Sequence, residues 1–402
     1  RNYLERMMDE KVNCMKIGII GGAGHIGLPM SLLLAKKHKV TIIDPSPNII
    51  KIKKGISPFF EVGMDKLLKN KLILNNINFK KDIKINKEKF DAIVITLGTP
   101  IDEWNNPVVQ DLIDIVDESL KNLEKNGILI LRSTVVPGLS KKLYKKLYKK
   151  KINLLYCPER IIQGYALIEL TKIPQIIGSN DNKINKHLDN NVKKIFFFTK
   201  KFIYTNYEEA ELIKLFNNFW RYGTFALSNQ MYLIAKNFNL SYQKILKNMK
   251  DSYPRASDIP SAGFAAGPCL YKDTQQLFSS FSGNFSLGKA TIEINEKLVD
   301  YVALDVSKLA KQKKIVILGA AFKANNDDFR DSLSFRLYKI LNRISLGKII
   351  LYDPLVDHKK VITNKNLLNV KKDFFVLATP HKIFNELLKK IPANNLYNIW
   401  KN

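Results

Sequence analysis

Lys16-Ile17-Gly18-Ile19-Ile20-Gly21-Gly22-Ala23-Gly24-His25-Ile26-Gly27 is a short apolar run that breaks into glycines and is followed by a helical pattern. From position 22 to 27 the spacing is Gly-x-Gly-x-x-Gly. Such spacing is common, so context decides its reading. Here a strand pattern precedes it, a helix pattern follows, and an acid, Asp44, ends the next strand pattern, Val40-Thr41-Ile42-Ile43, about 20 residues on. Glycines at 22, 24 and 27 let the backbone come close to a pyrophosphate. The first turn of the following helix attracts that group with unpaired N–H donors.

The acid adds a preference. A carboxylate at Asp44 accepts from ribose hydroxyls and repels a 2′-phosphate, which favours NAD over NADP. The candidate cofactor residues are therefore Gly22, Gly24, Ile26, Gly27 and Asp44. His25, among the glycines, is assigned no chemistry.

Outward from this turn, strand patterns recur at Phe90 to Leu97 and Gly127 to Arg132, with helical patterns between. This alternation predicts a parallel sheet with helices on both faces. The C-terminal part repeats the plan. Lys16-Ile-Gly-Ile-Ile-Gly-Gly resembles Lys314-Ile-Val-Ile-Leu-Gly-Ala, and Val40 to Pro45 resembles Ile349 to Pro354. Ile93 to Pro100 resembles Phe375 to Pro380. Three landmarks in one order predict an α/β fold: two Rossmann-like doubly wound domains, the second truncated, joined by a long central helix. The division expected is an extension at 1–14, a nucleotide-binding domain at 15–204, a helical domain at 205–311 and a second Rossmann-like domain at 312–402. In the helical part, Thr205-Asn206-Tyr207-Glu208 has capping-box spacing. Leu212, Leu215, Phe216, Phe219, Ala226, Leu227 and Ile234 then follow a helical period, with no proline before Pro254. A second helix is expected from about Leu287 to Lys311.

Composition narrows the class. The chain has 402 residues, 46% hydrophobic, enough for more than one core. Three cysteines do not suggest a disulfide framework. No apolar run reaches the length of a membrane span. The polar, charged start leads us to expect no leader and a cytoplasmic, reducing setting. The formal charge of +28 invites a nucleic-acid reading. Against it, the basic residues are mostly dispersed lysines. Their densest cluster, Lys141 to Lys151, alternates with Leu143, Tyr144, Leu147 and Tyr148 as an amphipathic helix with a solvated face. A positive field of this kind draws in a small anionic substrate.

Four further constellations carry chemistry. Gly263-Phe-Ala-Ala-Gly-Pro-Cys269-Leu-Tyr-Lys272-Asp273 places a cysteine after a proline, with Lys272 and Asp273 at spacings of three and four. If a helix starts at Pro268, the sulfur lies at its positive end, which favours thiolate. A nucleophile with charged partners on one helix face suits covalent catalysis, although most unpaired cysteines are simply buried. Leu97-Gly98-Thr99-Pro100 and Ser133-Thr134-Val-Val-Pro-Gly138 end strand patterns, where loops face a cofactor crevice; Thr134 suits a water or a cofactor hydroxyl. Tyr156-Cys157-Pro158-Glu159-Arg160 offers Glu159 as a general base or water-positioning group, or else as a surface carboxylate paired with Arg160. Cys157 reads as packed. Glu211, Lys214 and Asn218 share one helix face, and a lysine and an asparagine aimed together stabilise an oxyanion.

With Ala321-Phe322-Lys323 and Asp327-Asp328-Phe329-Arg330-Asp331-Ser332 added, these motifs occur in one order that resembles the UDP-glucose/GDP-mannose dehydrogenase family, from about Met15 to the end. The resemblance implies NAD-dependent oxidation of the C6 hydroxymethyl of a nucleotide sugar to a carboxylate, with two NAD per sugar, in a homodimer formed around the central helix. It implies that Cys269 holds the C6 aldehyde as a thiohemiacetal and then a thioester, in the crevice between the lobes beside the nicotinamide. Lys214 and Asn218 match the groups around the C6 oxygen, Asp273 and Thr134 those that place the catalytic water, and Glu159 the general acid/base. Thr99 and Arg330 fall in the cofactor region. Substrate contacts are implied at Glu159, Arg160, Lys214, Asn218, Arg255, Gly263 and Lys323, with Arg255 supplied by the partner subunit in some members. Arg160 stands where UDP-glucose enzymes often carry Phe. With Gly267-Pro268 it leans toward UDP-N-acetylhexosamines such as UDP-N-acetylmannosamine, against UDP-glucose or UDP-N-acetylglucosamine. Two other readings stand beside this one. A two-electron hydroxyacid dehydrogenase needs one NAD and no Cys269, and a non-catalytic basic nucleotide- or nucleic-acid-binding protein shows no redox activity.

Overall fold

The computed structural model describes residues 14–84, 88–104, 106–147, 152–281 and 284–400. The extension expected at 1–14 lies outside them except for Cys14, as do Lys149 to Lys151 of the lysine cluster. The chain forms two compact units, Arg1–Asn217 and Asn218–Asn402.

The first unit carries an eight-stranded sheet in the order β3-β2-β1-β4-β5-β6-β7-β8. Its strands are β1 (Lys16–Ile20), β2 (Lys39–Ile43), β3 (Ile77–Lys80), β4 (Phe90–Ile95), β5 (Leu123–Leu131), β6 (Asn153–Tyr156), β7 (Gln175–Ser179) and β8 (Phe202–Asn206). Every pairing is parallel except β6 with β7. Alternate residues serve two cores: Ile17, Ile19, Val40 and Ile42 lie on one face, Ile20, Ile43, Ile93 and Ile95 on the other. Burial on both faces is why these strands read as unbroken apolar runs.

The second unit holds five parallel strands in the order β11-β10-β9-β12-β13. They are β9 (Ile315–Leu318), β10 (Ile349–Tyr352), β11 (Val361–Ile362), β12 (Phe374–Leu377) and β13 (Leu396–Asn398). This is the first five-strand order repeated, as the three sequence landmarks implied. The likeness reaches single bonds. Gly21 N–H donates to Ile43 O at 3.0 Å, and Gly319 N–H to Tyr352 O at 2.9 Å. Both glycines have positive φ, at 76° and 94°, against a threonine at the end of the neighbouring strand, Thr96 or Thr379.

The central helix is Tyr207–Asn237, and a second long helix is Ser286–Ala310. Three local expectations shift. The capping box sits one residue later than Thr205: Asn206 Oδ1 accepts from Glu209 N–H at 2.7 Å, and Asn206 N–H faces Glu209 Oε2 at 3.4 Å. Asparagine caps at least as well as threonine, so either register was open to the chain. The central helix stops well before Pro254, because Asn239 takes a left-handed conformation and Ser241 caps a new helix, Tyr242–Lys250. Asparagine enters that region without a glycine. Finally, the helix after the cysteine starts at Leu270, not Pro268, and Cys269 is its N-cap residue.

Candidate active site

In the first unit, strand order reverses between β1 and β4, so the crevice opens at their carboxyl ends. The glycine turn fills it from one side. A Cβ on Gly27 would stand 2.2 Å from the Gly21 carbonyl oxygen, so this position excludes any larger residue. Helix Gly27–Leu34 starts there; Ile26 at its N-cap supplies no side-chain cap, and the first-turn N–H donors keep their attraction for an anion. Asp44 is mostly buried at the end of β2; Oδ2 accepts from Ala23 N–H at 3.0 Å and Oδ1 from Ser46 N–H at 2.8 Å. A carboxylate has about four acceptor positions, so two remain for ribose hydroxyls. The tight turn, the uncapped helix and the oriented acid fit a dinucleotide at Gly22, Gly24, Ile26, Gly27 and Asp44. Gly21, with its positive φ, belongs to the same turn; its place directly after the strand was the signal available for it. The His25 ring packs on Phe59, with centroids 3.9 Å apart.

The loops after β4 and β5 are tied together. Thr99 Oγ1 donates to the Thr134 carbonyl at 2.6 Å. After β6, Glu159 is buried and committed to the protein. Its Oε2 pairs with Arg132, and its Oε1 accepts from the N–H groups of Arg160 at 2.7 Å and Ile161 at 2.9 Å. Arg132 also donates to Gln175 Oε1 at 2.8 Å. The alternative of a surface carboxylate paired with the Arg160 side chain does not hold, since Glu159 is buried and pairs with Arg132. Arg160 Nη2 donates to the Pro174 carbonyl at 2.6 Å, and burial lowers its pKa. Arg132 and Gln175 were not singled out in the sequence; Arg132, directly before Ser133, ends an otherwise apolar strand, and that was the clue. Cys157 is fully buried, its thiol pushed up to about 12 by desolvation, with Arg132 pulling the other way.

Glu211 serves the scaffold. It accepts from the N–H groups of Gly138 at 2.6 Å and Ser140 at 2.8 Å, at the start of helix Leu139–Leu147. Burial nevertheless raises its pKa. Lys214 and Asn218, on successive turns of the central helix, are both largely buried. An amino group withdrawn from water in apolar company is unusual on a helix that only faces solvent.

In the second unit, Asn218 Nδ2 donates to Asp273 Oδ2 at 2.5 Å, and Lys272 Nζ lies 3.0 Å from Asp273 Oδ1. Asp273 is fully buried, one turn after Cys269 on helix Leu270–Ser280, and Cys269 is exposed at that helix's N-terminus. The sulfur also sits in the field of Arg330. The Arg330 pKa is raised chiefly by its paired hydrogen bonds to Asp328, and Cys269 contributes to the same shift. Two close approaches hold the cysteine loop. Gly267, at φ 103°, would place a Cβ 2.5 Å from the Phe322 ring, and Gly263 would place one 2.3 Å from Trp400. Gly267 N–H donates to Asp331 O at 3.2 Å. The Phe322-Lys323 and Arg330-Asp331 motifs thus pack on the loop that carries Cys269. Arg255 stacks on Tyr253 at 4.5 Å, on an exposed turn.

Three models of one family match the chain. The NAD binding domain of the UDP-glucose/GDP-mannose dehydrogenase family matches residues 15–197, the central domain 208–297 and the UDP binding domain 316–398. A UDP-N-acetyl-D-mannosamine dehydrogenase of Methanocaldococcus jannaschii is 31% identical over 320 residues, 77% of this chain and 73% of its own. A UDP-glucose 6-dehydrogenase of Campylobacter jejuni is 29% identical over 395 residues, 94% of this chain and 96% of its own. The solved UDP-D-ManNAc dehydrogenase of Pyrococcus horikoshii shares the fold, with a TM-score of 0.82 at 24% identity over 96% of this chain and 99% of that one. Glycine turn, buried Asp273 beside Asn218, and Phe322-Lys323 against the cysteine loop thus stand within residues that these models cover: the chain belongs to the UDP-glucose/GDP-mannose dehydrogenase family, and its cofactor is NAD.

Proposed function

We propose that the chain oxidises the C6 hydroxymethyl of a UDP-sugar to a carboxylate, through a covalent adduct on Cys269, and that its substrate is UDP-N-acetyl-D-mannosamine. The observation that carries the reading is Cys269, exposed at a helix N-terminus, one turn before the buried Asp273–Asn218 pair. Arg160 and the Gly267-Pro268 step support the acetylated sugar, as does the relative from Methanocaldococcus jannaschii. UDP-glucose is the second reading, favoured by the Campylobacter jejuni relative; UDP-N-acetylglucosamine is less supported. The accompanying domain division is 15–204, 205–311 and 312–402.

NAD, when bound, would supply the hydride acceptor for both oxidations. Gly22, Gly24, Ile26, Gly27, Asp44, Thr99, Thr134 and Arg330 are the residues that would hold it. Lys214 and Asn218 steady the C6 oxygen as it gains negative charge. The Cys269 thiolate adds to the aldehyde carbon, forming the C–S bond while the carbonyl oxygen takes a proton. Loss of the C6 hydrogen as hydride and of the hydroxyl proton leaves a thioester on Cys269. Water placed by Asp273 and Thr134 attacks it, and the C–S bond breaks with sulfur leaving as thiolate. Glu159, fixed by Arg132, orients water or substrate. Capture on sulfur splits a difficult oxidation into easier steps and keeps the aldehyde from escaping. Arg160, Arg255, Gly263 and Lys323 bind the sugar nucleotide.

A homodimer belongs to this reading. Phe216, Trp220, Leu227 and Ile234 leave an exposed apolar stripe along the central helix, with Trp220 71% exposed, and Phe238 is exposed just past its end. Spacings of four and seven put the residues of the stripe on one face. Chromatographic separation against epimer standards, with mass spectrometry of the products from an equimolar mixture of UDP-sugars with NAD, tests the assignment. The acetylmannosamine uronate is expected to dominate; a glucose uronate alone would shift the reading to UDP-glucose.

A further inference from the structure

The second lobe repeats the acid of the first but uses it differently. Asp44 makes two backbone contacts in its lobe. Its counterpart Asp353, at the end of β10, is fully buried, and both its oxygens are engaged by the protein. Oδ2 accepts from Ala320 N–H at 2.7 Å and Ala321 N–H at 3.2 Å and meets His381 Nε2 at 3.0 Å, while Oδ1 accepts from Leu355 N–H at 2.9 Å. With Oδ2 crowded by three donors and the whole carboxylate sealed from solvent, this acid is closed to a ribose, so the lobe does not hold a second dinucleotide in the manner of the first.

His381 is buried as deeply as Asp353. Its Nδ1 accepts from Asn325 N–H at 2.8 Å. A backbone amide can only donate, so the proton of the neutral ring lies on Nε2 and points at Asp353. The ring therefore links the acid after β10 to the backbone of residue 325. Asn325 is held a second time, since its Oδ1 accepts from Lys382 N–H at 2.8 Å. It sits at φ 54°, a left-handed conformation that persists only where surroundings enforce it. Upstream, Thr379 Oγ1 donates to the Ala321 carbonyl at 2.6 Å. Asp353, Thr379, His381 and Lys382 thus grip residues 320, 321 and 325, and Lys323 lies between the gripped points.

We propose that His381 is a positioning residue for sugar-nucleotide binding: by passing the Asp353 anchor to the Asn325 amide, it fixes the short loop that presents Lys323 to the nucleotide diphosphate. The inference rests on the substrate-binding role given above to Lys323. It goes beyond that role by assigning the loop's geometry to a histidine outside the binding motifs.

Isothermal titration with UDP tests it, on the full chain, with NADH titration and thermal unfolding alongside. His381→Asn keeps an acceptor near the place of Nδ1, and His381→Gln keeps only a donor near the place of Nε2. His381→Gln is expected to bind UDP roughly tenfold more weakly, the scale of one lost hydrogen bond, with NADH affinity unchanged; His381→Asn should stay within about threefold of wild type. The Gln effect should vanish in a Lys323→Met background, which a merely structural role would not produce. Wild-type UDP affinity in His381→Gln, or an effect of equal size with and without Lys323, would overturn the proposal. If Lys323→Met itself binds UDP as wild type does, the reading of Lys323 fails instead. If His381→Gln does not fold, the comparison of His381→Asn with Asn325→Gly decides. Asn325→Gly retains the amide and removes the side-chain tie to Lys382, so the proposal expects both within about threefold of wild type; a tenfold loss in His381→Asn alone would contradict it.

Discussion

At the scale of single residues, the three thiols differ in what surrounds them. Cys157 is buried with a raised pKa, while Cys14 and Cys269 are exposed. Alkylation depends on thiolate and access. Iodoacetamide followed by peptide mapping should modify Cys269 and Cys14 but leave Cys157 intact, and loss of activity should track Cys269 alone. Gly267 is the second telling residue, because a methyl group there meets both a positive φ and the Phe322 ring. Gly267→Ala should destabilise the chain by about 1–3 kcal/mol and depress turnover more than it weakens NADH binding, measured by thermal unfolding and steady-state kinetics. The presence of a glycine there was visible in the sequence. Its reason was not, since Phe322 lies far away in the chain. Arg132 was hidden for the same cause: only the fold brings it to Glu159.

At the scale of elements, strands were easier to read than helix ends. Parallel strands buried on both faces leave apolar runs bounded by glycine, and the repeated landmarks marked corresponding strands of the two sheets. Helix boundaries turn on one hydrogen bond. Asn206, not Thr205, caps the central helix, and Asn239, not a proline, marks the break beyond its end. Asn206→Ala should cost about 1 kcal/mol, read as a lowered urea midpoint. Glu211 shows the same limit in the candidate site. Its spacing to Lys214 suggested shared chemistry, yet both its oxygens cap helix Leu139–Leu147.

At the scale of the whole molecule, the repeat gives two similar lobes with different electrostatics. Burial pushes the Asp353 pKa upward, but His381 and the backbone amides of Leu355 and Ala320 outweigh it and leave the pKa lowered. A folded-state pKa below the unfolded value stabilises the protein fully above the unfolded value near pH 4. That contribution is lost as pH falls through the folded value. Stability of the wild type should therefore fall more steeply on acidification below about pH 4 than that of Asp353→Asn, measured by urea midpoints across the range. The overall fold and the cofactor lobe were legible because glycine turns and buried strands are local patterns. The pairing of Asn218 with Asp273 was not, because it joins positions 55 residues apart.

Four-electron oxidation through Cys269 is what separates the proposed reaction from a simple alcohol oxidation. The most direct measurement is the yield of NADH per UDP-N-acetyl-D-mannosamine consumed, with the product identified, for wild type and Cys269→Ser. Two NADH per uronate from the wild type, and no uronate from Cys269→Ser, is the result expected; one NADH per sugar, or full uronate yield without the sulfur, would contradict it.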